Sequence, residues 1–173
     1  MKKKKLKVET FNIKKWNDLV TGLILSENKD WILVHNIPSD YRLDGYTIYR
    51  KKFVKKRIRK ADEKFVEKVL GLRKKETAAP PNFKFGTDVD MLKWVEKTYG
   101  LFEFQDHDDS ILFYGKINNI KKDKLIIDMV KSDGTIEKKF ETPFSLKKIR
   151  SITFDSDYFK AVVLLMKNQA GGK

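Results

Sequence analysis

One pattern runs through this chain twice. Gly22-Leu23-Ile24, Asp30-Trp31-Ile32-Leu33-Val34, Asp44-Gly45 and Phe53-Val54-Lys55-Lys56-Arg57-Ile58-Arg59 are answered in the second half. There the series is Gly115-Lys116-Ile117, Asp123-Lys124-Leu125-Ile126-Ile127, Asp133-Gly134 and Phe144-Ser145-Leu146-Lys147-Lys148-Ile149-Arg150. From the Gly to the first Asp is eight positions in both copies, and from the Phe to the Ile is five. The spacing between Asp-Gly and the Phe differs, where a turn absorbs insertions at little cost. A chain built this way folds as two related units, which this register sets with Gly22 over Gly115 and Ile58 over Ile149.

The repeated segments read as short strands. Val20 to Glu27 and Trp31 to Ile37 are apolar runs broken by the turn Asn28-Lys29-Asp30; Ile111 to Ile120 and Leu125 to Lys131 flank Lys121-Lys122-Asp123. Asp44-Gly45 and Asp133-Gly134 are hairpin signals, because glycine accepts the positive φ of a tight turn. Pro143-Phe144-Ser145-Leu146 suits a single 3₁₀ turn, followed by a last strand over Ile149 to Phe154. Asp62 is placed to cap a helix with Phe65, Val66, Val69 and Leu70 on its apolar face and Gly71 as its stop. Thr87-Asp88-Val89-Asp90 has the form of a capping box opening a helix through Val89, Leu92, Val95 and Tyr99. Ala78-Ala79-Pro80-Pro81 lies in a linker, and residues 155–166 fit helix or strand equally. The division is 1–72 for the first unit with its C-terminal helix, 73–86 for the linker, and 87–173 for the second unit with its N-terminal helix.

Short strands, a Gly in the first, an Asp at the next turn, Asp-Gly later, then a 3₁₀-like turn into a Lys-Ile-Arg segment: this resembles the Sm/LSm-like small β-barrel, over about 45 residues per copy. The resemblance implies a mainly β fold with flanking helices, as two tandem Sm/SH3-like barrels. It matches the family's Gly at Gly22 and Gly115 and its Asp at Asp30 and Asp123. The family's RNA pocket also needs an Asn soon after that Asp and an Arg-Gly pair before the last strand. Trp31-Ile32-Leu33, Leu125-Ile126-Ile127, Lys56-Arg57-Ile58 and Lys147-Lys148-Ile149 stand in those places. The likeness therefore implies the fold without the uridine pocket, and a plain SH3-like barrel fits the same residues.

Charge says more about partners. The formal net charge is +14, yet residues 1–86 hold 23 Lys/Arg against 10 Asp/Glu and residues 87–173 hold 15 against 14. The densest stretch is Lys51, Lys52, Lys55, Lys56, Arg57, Arg59 and Lys60, with no acid among them. Such a surface points to a polyanion, RNA or single-stranded DNA, with these seven residues on phosphates. Tyr41, Tyr46, Tyr49 and Phe53 interleave with it, either as stacking faces for bases or as core residues beneath an edge strand blunted by lysine. Only six cations are arginine, against 32 lysines, so the same excess also reads as a solvated surface.

Other chemistries have less to stand on. With no cysteine, thiolate nucleophiles, disulfides and Cys-ligated zinc are excluded. Asp106-His107-Asp108-Asp109, near Glu103, is the one crowd of ligand-type side chains, but consecutive residues point apart, and a solvated turn without metal is expected. His35 and His107 have no nucleophile motif beside them, and no Gly-rich phosphate loop is present. The expectation is a non-enzymatic, cytoplasmic protein with no catalytic residue, metal or cofactor and no membrane span, the longest apolar run being Ala161 to Met166 against the roughly 20 residues a span needs. Lys2 to Lys5 lack the apolar stretch that would make them a signal peptide. The competing expectation is a protein-interaction scaffold whose barrels pair through edge strands.

Overall fold

The computed structural model describes residues 5–73 and 78–171; Lys2 to Lys4 and four linker residues, 74–77, lie outside that range. The first half contributes β1 (Val8–Ile13), β2 (Val20–Glu27), β3 (Trp31–Asn36), β4 (Tyr46–Arg50), a 3₁₀ turn at Lys51–Phe53, β5 (Val54–Ile58) and helix α1 (Ala61–Leu72). Helix α2 (Asp88–Tyr99) opens the second half. It is followed by β6 (Phe102–Gln105), β7 (Phe113–Lys121), β8 (Lys124–Val130), β9 (Ile136–Glu137), β10 (Phe144–Ser145), a 3₁₀ turn at Leu146–Lys148, β11 (Ser151–Phe154) and helix α3 (Asp157–Gly171). The protein is mainly β with flanking helices, as expected, and 155–166 resolves as helix apart from its first two residues.

All eleven strands join one open antiparallel sheet in the order β10-β8-β7-β6-β11-β4-β3-β2-β1-β5, with β9 also on β8. Strand pairing closes neither half into a separate barrel; what the halves share is strand order. The first runs β5-β1-β2-β3-β4 and the second β11-β6-β7-β8-β10, each beginning with its last strand. The likeness extends to defects. β2 slips register between Ile24 and Ser26, and β7 between Ile117 and Asn119, the same distance beyond Gly22 and Gly115. Lys51 N–H donates to the Asp30 carbonyl at 2.8 Å, and Leu146 N–H to the Asp123 carbonyl at 2.9 Å. These bonds align the two 3₁₀ turns and place Val54, rather than Ile58, opposite Ile149. The sequence register slipped here because the first copy carries two Lys-Lys pairs, Lys51-Lys52 before Phe53 and Lys55-Lys56 after Val54, and Lys147-Lys148 can be matched to either.

β3 is buried on both faces, Leu33 and Trp31 in the main core and Ile32 and Val34 in a second cluster with Phe11 and Ile13, so its sequence is continuously apolar. Helix α2 covers the main core with Met91, Leu92 and Val95. Its capping box is as read: Asp90 N–H donates to Thr87 Oγ1 and Thr87 N–H to the Asp90 carboxylate at 3.0 Å. Helix α1 differs. It begins after Lys60 and runs past Gly71, and Phe65 on its expected apolar face is 55% exposed while Leu70 is buried. The Pro-containing linker carries no helix or strand over 78–87, yet Phe83 packs edge-on against Phe85 and Trp94, so this segment is part of the core wall.

The halves meet where β11 pairs with β4 on one side and β6 on the other. Alternation sends Ile48, Ile152 and Phe104 into the main core and leaves two polar rows on the opposite face: Thr47, Thr153, Glu103 and Tyr114, then Tyr49, Ser151 and Gln105. Burial is the largest influence on Glu103 and pushes its carboxyl up to about 7, although Thr153 and Tyr114 hydrogen-bond it.

Both repeat glycines mark close approach. A Cβ on Gly22 would stand 2.8 Å from Val34, and on Gly115 2.8 Å from the Asp128 carbonyl oxygen. Gly115→Ala should lose about 1–3 kcal/mol in urea denaturation, since a backbone atom cannot yield as a side chain can. Gly71→Ala, whose Cβ meets nothing nearer than Leu6 at 4.0 Å, should be neutral or gain up to about 1 kcal/mol.

A second expectation concerns pH. Glu103 ionises near its usual 4.5 in the unfolded chain and near 7 in the fold. Between those values the folded state holds the extra proton, so stability falls as pH rises through the window and levels off above it, by about 3 kcal/mol in all. Glu103→Gln should flatten that slope in melts taken from pH 4.5 to 8.

Candidate nucleic-acid interface

The seven basic residues lie along one margin of the sheet. Lys51 and Lys52 sit in the 3₁₀ turn, Lys55, Lys56 and Arg57 on β5, the free edge strand, and Arg59 and Lys60 lead into α1. β5 pairs only with β1, and a bulge at Asn12/Ile13 leaves Lys55 without a register partner. The flanking Phe53 and Val54 pack on the second apolar cluster, which anchors the strand and turns its cations outward.

These cations are not equivalent. Arg57 donates both Nη groups to the Glu27 carboxylate, at 2.9 and 3.2 Å, and Nε to Glu9, whose side chain is buried. Lys51 joins Glu27 at 2.7 Å. The Arg57 hydrogen bond, opposed by partial burial and aided by Lys51, holds the Glu27 carboxyl down at about 2. Arg59 forms a two-pronged pair with Glu67 at 2.8 and 2.9 Å. Lys52 donates to the Lys147 carbonyl at 2.8 Å and lies over the Phe53 ring. Burial lowers its pKa first, with Arg50 second. Lys60 is exposed and lies beside Glu63, which its backbone N–H reaches at 2.7 Å. Lys55 and Lys56 are exposed and have no carboxylate partner among the described residues. The structure therefore brings the seven together and divides them: Arg57, Arg59 and Lys51 are neutralised internally, while Lys52, Lys55, Lys56 and Lys60 present charge outward.

Next to this margin is a cavity of about 760 Å³ rimmed by Lys29, Arg50, Lys51 and Lys52 and by Asp30 and Asp88, with Trp31 in its wall. The Arg50 guanidinium lies 4.5 Å from the Trp31 ring centre, is paired with Asp88, and donates to the Leu146 carbonyl at 3.0 Å. Lys29 and Lys147 extend the basic surface, and sequence spacing did not reveal them because they come from separate turns, whereas Arg50 at the end of β4 is neutralised by Asp88. The interleaved aromatics are structural. Tyr49 is buried, Tyr46 stacks between His35 and Phe154, Phe53 lies under Arg150, and Tyr41 packs on Phe65.

Comparison with family models, with curated proteins and with solved structures gives no match for this chain.

The acidic crowd at 106–109 has a mechanical role. Asp109 accepts from Asn17 and Asp18 N–H at 2.8 and 2.9 Å, and His107 lies 3.0 Å from Lys15 Nζ, tying the β6–β7 loop to the β1–β2 loop. Asp108 bonds Ser110 and His107 instead. No cluster of three metal-type ligands occurs among the described residues. His35 is half-buried, and burial lowers its pKa. No helix among the described residues is long and apolar enough to cross a membrane.

The division of cations carries a stability test. Arg57→Glu sets a carboxylate against the buried Glu9 and should lose about 2–4 kcal/mol in urea denaturation. Lys55→Glu with Lys56→Glu should change stability by about 0.5 kcal/mol or less, as for other exposed charges.

Proposed function

We propose that this is a non-enzymatic nucleic-acid-binding protein that holds RNA or single-stranded DNA along its β5 margin. The observation that carries this reading is the concentration of unneutralised lysines, Lys52, Lys55, Lys56 and Lys60, on one exposed edge, beside the Lys29 and Lys147 turns. Arg57, Arg59 and Lys51 support the same surface from behind their carboxylates, which hold the strand rigid while it presents charge. Lysine makes non-bidentate phosphate contacts, so this surface favours backbone binding with little base preference. The shared strand order of the halves, each with a 3₁₀ turn before its last strand, supports reading them as two Sm/SH3-like units of one ancestor.

A scaffold reading has one specific support. β11 of the second half pairs with β4 of the first, and the sheet still ends in two open edges, β5 and β10. A partner strand on β5 has to lie against the lysines, which disfavours it there.

Fluorescence anisotropy with a labelled mixed-sequence RNA separates the two. Binding at about 50 mM salt should weaken steeply with added salt, and the slope of log K against log salt should become shallower by nearly one unit for each lysine–phosphate pair removed by mutation. Reversing Lys52, Lys55, Lys56 and Lys60 to Glu should abolish binding, whereas reversing Lys121, Lys122 and Lys124 at the β7–β8 turn should change it less than about threefold. Unmodified protein that leaves both RNA and single-stranded DNA free at that salt refutes the nucleic-acid reading.

A further inference from the structure

The opposite face of the seam between the halves contains a cavity of about 500 Å³. In a chain of net charge +14 its wall includes three carboxylates, Asp18, Asp44 and Glu103, and no Lys, Arg or His among the described residues. The volume lies in the range of small-molecule sites. The floor is the polar face of β4, β11 and β6, so its side chains project from paired strands rather than from a loop. One wall is the β1–β2 loop, held in place by the two Asp109 hydrogen bonds, so both halves of the repeat are needed to form the cavity.

Its buried polar groups are incompletely satisfied. Gln105 is 6% exposed, lines the cavity, and its Oε1 has no hydrogen-bond partner among the described residues. Trp16 Nε1, on the opposing loop, is likewise buried without an acceptor. Glu103 is 9% exposed and held by Thr153 and Tyr114 hydroxyls. A buried acceptor left unpaired costs more than a hydrogen bond contributes when made, so native folds pair such groups with protein, water or ligand. The Trp16 and Tyr49 rings, 6.1 Å apart and edge to face, add aromatic surface of the kind that attracts cations.

We propose that this cavity binds a small organic cation, an ammonium or guanidinium compound, with the cationic head between the Glu103 carboxylate and the Gln105 side-chain carbonyl. The donors on such a head satisfy both acceptors at once. Trp16 Nε1 then has room to donate to one oxygen elsewhere on the ligand, which favours a guanidine or amine that carries a carbonyl or hydroxyl. Above about pH 7 phosphate-bearing ligands are repelled by the Asp18 and Glu103 carboxylates, Asp44 being paired with Arg42 at 3.5 Å, which separates this site from the lysine margin on β5.

The test is a titration of ¹⁵N-labelled full-length protein with L-argininamide and with agmatine, read at the Trp16 indole N–H resonance, which Trp16→Phe assigns. Saturable shifts with a dissociation constant below about 1 mM are expected, tighter for argininamide than for agmatine, with no response to glutarate or urea at the same concentrations. Glu103→Gln should weaken argininamide at least tenfold while its thermal melt stays at or above that of the parent. If Glu103→Gln does not fold, Gln105→Leu gives the same reading through an at least threefold loss. The proposal is overturned if neither cation shifts the Trp16 resonance by about 10 mM, if glutarate or urea shifts it as well as the cations do, or if the folded variants bind unchanged.

Discussion

The pairing of β11 with β4 is the contact on which the rest of the structure depends. Without it each half is a small sheet with an exposed apolar face, and the main core has no continuous floor, since Ile48, Ile152 and Phe104 come from three strands that meet only there. The contact is head to tail: the last strand of the second half joins the fourth strand of the first. One open sheet results, with α2 and the Phe83 to Phe85 segment closing the core from one side. The same pairing places Glu103, Gln105 and Thr153 beside Thr47 and Tyr49 on the other face, so the seam builds the core and the acidic cavity together.

Much of this architecture was legible in the repeat. Gly22 and Gly115 were matched correctly, and the shared bulge beyond each shows why: a strand that bends there brings its backbone too close to the neighbouring strand for a side chain. The Thr87 capping box and the hairpins at Asn28 to Asp30 and Lys121 to Asp123 were local signals, and the structure contains all three. Several strands escaped, among them the first of each half. β1 follows a lysine run, and β6 is only Phe102-Glu103-Phe104-Gln105, a clean alternation too short to stand out. Both are the first strands of their halves, so missing them also hid the common strand order. How the halves join was beyond reach, because pairing between Tyr46 and Phe154 is set by tertiary packing across more than a hundred positions.

The candidate interface was half legible. Charge density pointed to the stretch from Lys51 to Lys60, and the structure places all of it on one margin. Which of those cations are neutralised was not readable, because Glu9, Glu27 and Glu67 reach them from β1, β2 and α1. The cavity at the seam gave no sequence signal at all. Glu103 looked like part of an acidic loop with Asp106 to Asp109, yet strand alternation turns it into the sheet while those residues fasten two loops.

The asymmetry of charge between the halves follows partly from strand position. β5 and β11 are equivalent last strands, but β11 is covered on both edges and reads Ser-Ile-Thr-Phe, whereas β5 has a free edge and reads Val-Lys-Lys-Arg-Ile. A free edge requires polar residues to discourage pairing with other chains, and this accounts for charge on β5. It does not account for number. A single charge disrupts strand addition, and the other open edge, β10, is Phe-Ser with no charge. On β5 Lys55 and Lys56 carry charge with no carboxylate beside them among the described residues, while carboxylates from β1 and β2 neutralise Arg57 and hold it in place. Mutual repulsion along that strand is an energetic cost which an anionic partner relieves. Of the acids of the seam cavity, Glu103 lies on β6 and Asp18 and Asp44 on loops of the first half, away from β5, so the fold keeps its two charged surfaces apart.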